Sequence, residues 1–154
     1  MKPEEIRPDT QLCTILGYNA QTGKCRKYFN AMLKESGINA TAIALNIKDE
    51  HFTVTMESVS DSKVKKMILE QEFKELALAY CDIMNKSAVG KGYVDYIEIE
   101  NEEIIGHCMD DEVDAMVDKP EFMDENMRLA VKMMLLAHQW YGAKVDMDLI
   151  PSIV

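Results

Sequence analysis

Long apolar runs are missing from this chain. No stretch approaches the ~18 consecutive apolar residues that a membrane-spanning helix requires, so no membrane partner is expected. Cysteine is sparse and scattered. Cys13, Cys25, Cys81 and Cys108 form no C-x-x-C pair, which removes the usual zinc-site framework. Histidine is sparser still, and His51, His107 and His138 show no H-x-x-x-H spacing, so no metal is expected. Basic charge is short: 17 Lys and Arg face 27 Asp and Glu, a formal net charge of −10. A phosphate-binding surface needs clustered cations, so nucleic acid is excluded as a partner. The two dense basic groups, Lys24-Cys25-Arg26-Lys27 and Lys63-Val64-Lys65-Lys66, read as solvated helix faces. A G-x-G-x-x-G turn entering a helix is absent. Gly90-Lys91-Gly92 precedes a strand pattern, so it is not a phosphate cradle and no cofactor is expected. The opening Met1-Lys2-Pro3-Glu4-Glu5 has no apolar signal core. The reading is cytoplasmic, with reduced cysteines acting mainly as core fillers.

What is present is an ordinary globular composition. Of the 154 residues, 47% are apolar and 29% charged, enough for one domain with a real core. Twelve methionines suit irregular core gaps and adaptable interfaces.

Taken in order, residues 1–11 are polar with two prolines and read as a loose arm. Residues 12–17 form a short apolar run closed by Gly17, a buried strand. Tyr28, Phe29, Met32 and Leu33 fall at helical spacing over residues 24–36, with Gly37 as the stop. Residues 40–47 read as a second strand, giving a parallel strand–helix–strand unit. Residues 52–56, rich in β-formers, read as a third strand. Ser60-Asp61-Ser62 offers an N-cap for a helix from Lys63 to about Asn85, broken near Gln71. Residues 93–100 and 103–108 flank a polar turn at Asn101-Glu102, which is a hairpin signal. It ends in Asp110-Asp111, a carboxylate pair suited to the start of a helix over residues 111–117. Asp118-Lys119-Pro120 breaks the chain. Asp124 then caps a helix over residues 126–141, whose apolar face carries Met127, Ala130, Val131, Met134, Leu135 and His138, and Gly142 stops it. His138 reads as a core histidine, and His51 as exposed in a turn. A last short helix covers residues 147–150, ended by Pro151. The domain boundaries are residues 1–11 for the arm, 12–117 for the main fold and 118–154 for the terminal helices of the same domain.

These blocks resemble the shikimate dehydrogenase family. Ile15-Leu16-Gly17-Tyr18, then Val54-Thr55, then Gly92-Tyr93-Val94-Asp95-Tyr96 with Gly106-His107-Cys108-Met109-Asp110-Asp111, keep the order of its substrate-binding domain. The tail residues 132–142, ending Trp140-Tyr141-Gly142, are similar to the family's Gln-Ala-x-x-Ala-Phe-x-x-Trp-x-Gly. Val145-Asp146-Met147 then stands in the place of the family's Pro/Val-Asp segment. The resemblance implies a single three-layer α/β domain with a mixed, mostly parallel sheet of about six strands and C-terminal helices packed back on it. It also implies that the family's central NADP-binding Rossmann domain is missing between hairpin and tail.

Carried over position by position, the resemblance puts the family's paired serines on Gly23 and Cys25, which cannot replace two hydroxyl donors. It puts the threonine of Asn-Val-Thr-x-Pro-x-Lys on Thr55 and the catalytic lysine on Val59, with Lys63 and Lys65 nearby. The asparagine falls on Asp95, the catalytic aspartate on Asp110 and the tail glutamine on Lys132. Asp95, Asp110 and Lys132 are expected to face one cleft, with His107 a further candidate. With no lysine opposite Asp110, the acid–base pair that alcohol chemistry needs is incomplete. The expectation is a non-catalytic relative of the substrate domain, binding a small polar metabolite or serving as a regulatory or interaction module. The alternatives are a subunit of a split or altered enzyme that needs a separate NADP-binding chain, and a homo-oligomeric structural protein, such as a homodimer sealed by the methionine-rich tail helix.

Overall fold

The structure, a computed structural model, describes residues 8–144 and 146–154, leaving aside the side chain of Leu149. Most of the expected arm, and Val145 of the tail motif, lie outside the described residues. The elements are β1 (Gln11–Gly17), α1 (Lys24–Glu35), β2 (Ala40–Asn46), α2 (Asp49–Ser58), β3 (Lys66–Leu69), β4 (Ile83–Met84), β5 (Tyr96–Glu100), β6 (Glu103–His107), α3 (Asp110–Met116), α4 (Glu125–Tyr141) and α5 (Ile150–Ile153). The six strands form one mixed sheet in the order β2-β1-β3-β5-β6-β4. β1 runs parallel to β3 and β4 to β6, while β5 is antiparallel to both β3 and β6. This is the α/β architecture expected from the sequence.

The chain divides into two compact units. One comprises residues 13–21 and 43–109. Its core gathers Leu16, Phe52, Met56, Val59, Met67, Leu69, Phe73, Ile97, Ile99 and Ile104. The Phe52 and Phe73 rings stack with centroids 4.4 Å apart, a contact worth ~0.5–1.5 kcal/mol beyond the area it buries. Gly106 on β6 is required by close approach: a Cβ there would lie 2.7 Å from Val94 and 2.8 Å from the Cys81 sulfur.

The other unit holds residues up to 12, 22–42 and 110–154. Here α1 buries Cys25, Tyr28, Phe29, Met32 and Leu33. The α4 helix buries Ala130, Val131, Met133, Met134, Leu136, Ala137 and Trp140. Phe29 meets Trp140 edge-on at 6.1 Å. Asp124 caps α4 by accepting the Met127 N–H at 2.7 Å. Gly142, at φ 72°, closes it, its N–H and that of Ala143 reaching back to the His138 and Ala137 carbonyls. This left-handed closure is the glycine stop expected from the sequence.

Three expectations are corrected. Residues 52–56 are not a strand but part of α2. Phe52 and Met56 are buried four residues apart, on one helical face, and Asp49 and Glu50 favour a helix start. That burial outweighs the β-preference of Thr53, Val54 and Thr55. Residues 63–85 are not a helix. Met67, Ile68 and Leu69 are buried consecutively in β3, as befits a strand covered on both faces, and 3-10 turns at Gln71–Phe73 and Leu76–Tyr80 lead to β4. The basic group at residues 63–66 therefore lies in a loop and at the start of β3. Ser62 caps no helix, its hydroxyl bridging the Val59 carbonyl and the Val64 N–H. Finally, Pro151 does not end the last helix. It sits in the first turn of α5, where its missing N–H has no helical partner to lose.

Candidate functional site

Two polar clusters stand out, one in each unit. In the strand-rich unit, Asp95 follows Val94 into β5 and is 5% exposed. One carboxylate oxygen lies 2.9 Å from the Lys74 ammonium, and the other accepts the Met109 N–H at 2.8 Å. The backbone fixes this pair. The Val94 N–H bonds to the Lys74 carbonyl at 3.1 Å, the Leu69 N–H to the Asp95 carbonyl at 3.1 Å, and the Asp95 N–H to the His107 carbonyl at 2.8 Å. Lys74 is thereby held beside a carboxylate in a setting where either charge alone would be costly.

On the same hairpin His107 stacks on Tyr96, with ring centroids 4.8 Å apart and planes 5° from parallel. Its Nε2 lies 3.0 Å from a Glu98 oxygen. The register pairs Tyr96 with His107, and Glu98, two residues on, shares the Tyr96 face. Where β1 ends, the Tyr18 hydroxyl donates to Asp49 and its N–H to Glu72. The hydrogen bond to Asp49 raises the phenol pKa most, and burial and the charges of Asp49, Glu72 and Glu50 add to it.

In the helical unit, Asp110 opens α3 with Asp111 and Glu112 in the same first turn. The Lys132 ammonium and the Arg128 guanidinium each lie 2.9 Å from one Asp110 oxygen. Arg128 also bonds Asp114 at 2.8 Å. Arg128 and Lys132 are one turn apart on α4, so a single helix face presents both cations to the start and middle of α3. Burial by itself would push the Asp110 carboxyl pKa up. The hydrogen bonds and charges of Lys132 and Arg128 outweigh it and hold the group below the usual carboxylate range.

Of the residues singled out in the sequence, the structure joins Asp110 to Lys132. Asp95 lies in the other unit with Lys74 as its ion-pair partner. Gly23 is the N-cap of α1 and makes no side-chain bond, and Cys25 is buried in that helix's core face. Thr55 is half-buried on α2 and Val59 is core, so the strand that was to carry Thr55 is not there. Lys63 and Lys65 precede β3. His138 is exposed, not core; its Nδ1 lies 3.1 Å from the Ala143 carbonyl beyond the end of α4. His51 is exposed as expected, but on α2 rather than in a turn. Lys74, Arg128 and Glu98 were missed. The signal for Lys74 was its position five residues after the apolar run Met67-Ile68-Leu69. For Arg128 it was the i, i+4 spacing to Lys132.

A dinucleotide does not fit the residues present. Gly90 and Gly92 have φ 79° and 80° but lead into β5, and among the described residues no glycine-rich turn enters a helix N-terminus. Residues 117–124 are all that join α3 to α4. None of the four cysteines is in a disulfide. Burial, with Asp82 alongside, pushes the Cys81 thiol up to about 11, which leaves it a poor nucleophile. No helix of the described residues is long and apolar enough to cross a membrane.

Comparison with known proteins bears out the resemblance read from the sequence. No family model matches the chain. The chain is similar to the shikimate dehydrogenase (NADP(+)) of Aquifex aeolicus (strain VF5), with 27% identity over 105 residues, 68% of this chain and 39% of that one. Among solved structures it matches shikimate dehydrogenase from Aquifex aeolicus with a TM-score of 0.64 and 22% identity, over 85% of this chain and 53% of that one. It also matches the ligand-free 5-ketofructose reductase of Gluconobacter sp. strain CHM43 with a TM-score of 0.62 and 16% identity, over 84% of this chain and 51% of that one. The chain thus spans between 39% and 53% of the length of these relatives. What they share with it is the fold, and that fold carries more than one substrate.

Proposed function

We propose that this chain is a non-catalytic protein with a shikimate dehydrogenase-like substrate-domain fold, serving as a binding or regulatory module for a small polar metabolite. The observation that carries this reading is Asp110 clamped between Lys132 and Arg128, each at 2.9 Å. A general base works best with a pKa near the operating pH. A carboxylate held down by two cations is a weak proton acceptor, and both cations here lie against the same oxygen.

The second cluster supports the same reading. With β3 as the strand of the family's Asn-Val-Thr-x-Pro-x-Lys, the lysine falls on Lys74 and the threonine on Glu70. The family's asparagine falls on Asp95. Two neutral side chains would then be replaced by acids, and the lysine would be engaged by one of them at 2.9 Å. Such a set repels a carboxylate substrate and favours an amine or a zwitterion.

The test is ligand binding together with turnover. Wild-type protein is expected to show no NADP-dependent oxidation of shikimate and no thermal shift with millimolar shikimate, since only a ligand that binds the native state raises the midpoint. The variant Asp95→Asn restores the family's amide beside Lys74 and is expected to gain a shift. Turnover or a shift in the wild type would overturn the reading.

One observation favours the split-enzyme alternative. Lys74 and Asp110 are the two residue types that the family's acid–base pair uses. Under that alternative, activity appears only when a separate NADP-binding chain is supplied, and Lys74→Ala abolishes it.

A further inference from the structure

β2 stands at one edge of the sheet, and the bonds at its two ends show which backbone groups face outward. The Asn39 carbonyl accepts the Gln11 N–H at 3.1 Å, and the Ile47 N–H donates to the Gly17 carbonyl at 2.9 Å. Both bonds run to β1, so the odd-numbered residues of β2 turn their peptide groups inward. The even-numbered ones, Ala42, Ala44 and Asn46, turn theirs away from the sheet. Ala42 is blocked, because its N–H donates to the Asn30 carboxamide on α1 at 3.0 Å. At the other end the strand stops at Asn46, and Lys48 is already the N-cap of α2. The open row is therefore Ala44 and Asn46. Ala44 keeps 6% exposure, against 2% for the blocked Ala42. β2 carries no charged residue, and its exposed apolar side chains, Ile43 and Leu45, share one face. An edge without charge or proline accepts a further strand.

We propose that β2 pairs antiparallel with β2 of a second copy of this chain, about a two-fold axis at Leu45. The limits of the open row select this occupant. With Leu45 opposite Leu45 of the partner, Ala44 lies opposite the partner's Asn46, and each such pair exchanges both N–H to carbonyl bonds. The blocked Ala42 then falls opposite the partner's Lys48, where that chain has already left the strand for α2. A longer foreign strand would run on past Asn46 or meet the Asn30 cap, whereas a second copy brings an open row of the same length. The side chains agree with the register. Leu45 meets its own copy and Ile43 meets the partner's Ile47, in non-hydrogen-bonded pairs where side chains approach closely. The pairing is isologous, as a two-fold axis requires. In a chain of net charge −10 it also sets no like charges opposite one another within the strand. So short a ladder lies at the small end of stable interfaces, and the dimer dissociates on dilution. The inference uses neither Asp110 nor Lys74 and stands apart from the proposed function.

The experiment joins sedimentation velocity on the full chain, over a dilution series, with cysteine cross-linking. The wild type is expected to pass from dimer to monomer on dilution. Leu45→Lys sets two charges against each other at the axis, and is expected to raise the dimer dissociation constant about ten-fold or more. Leu45→Cys is expected to give a covalent dimer on mild oxidation, well above the wild type. Cα atoms in a non-hydrogen-bonded pair lie about 4.5 Å apart, within the span of a disulfide. Ile43→Cys is expected to cross-link far more slowly, because the two copies of residue 43 stand four positions apart, about 13 Å. Both positions are exposed, so the variants leave the core intact. A wild type that is monomeric throughout, a dimer indifferent to Leu45→Lys, or Ile43→Cys cross-linking as fast as Leu45→Cys would each overturn the proposal.

Discussion

Burial and pairing act in opposite directions on Asp110, and pairing wins because two cations reach a carboxylate that is only partly removed from water. The consequence is a pH dependence with a definite sign. A carboxyl whose folded pKa is depressed stabilises the fold in full above its ordinary value of 3.8, and that contribution is lost as pH falls through the lower folded value. Asp110→Asn is therefore expected to lower stability near neutral pH by about 2 kcal/mol. That is less than the ~3–5 kcal/mol for breaking a fully buried pair, because Arg128 retains water and Asp114. Urea unfolding near neutrality and in strong acid checks it. A gap that fails to close in acid would mean that the ionised carboxylate is not its source. At this scale the sequence showed where acids had replaced neutral side chains, but not what they pair with. Lys74 and Asp95 are far apart in sequence, and the backbone bond from the Val94 N–H to the Lys74 carbonyl helps bring them together.

The β5–β6 hairpin is bound by a turn in which Asn101 and Glu102 have φ 51° and 65°, the backbone of a type I′ connection. Asn adopts that region more readily than Glu. Glu102→Gly is expected to stabilise the protein by ~0.5–1 kcal/mol, read as a higher urea midpoint with unchanged slope. A lower midpoint would show that the Glu102 side chain contributes more than its backbone strain costs. The elements that could be read from sequence are those with local punctuation. They include α4 between Asp124 and Gly142, α1 ahead of Gly37, and the hairpin around Asn101-Glu102. The misread ones, α2 and β3, lack it. Residues 52–56 have β-branched side chains on a helix whose buried positions are Phe52 and Met56. Residues 66–69 are too short a run for period alone to separate strand from helix.

Across the whole molecule 27 acidic residues outnumber 17 Lys and Arg. In strong acid the carboxylates neutralise and the charge becomes strongly positive, which favours expansion. Trp140, the single tryptophan and 8% exposed, reports that transition by its emission. Moderate salt screens the repulsion, so the acid midpoint is expected to move to lower pH as salt is added. A midpoint indifferent to salt would assign acid unfolding to individual pairs such as Asp110 with Lys132. The sequence by itself determined composition, charge, the punctuated helices and the hairpin, because these depend on neighbours within a few residues. It also carried the order of motifs that marks the shikimate dehydrogenase-like fold. The tertiary structure alone decided that residues 52–56 coil and residues 66–69 extend, that Lys74 meets Asp95, and that Asp110 is clamped by Arg128 and Lys132. Burial and ion pairing act between residues that only folding makes neighbours.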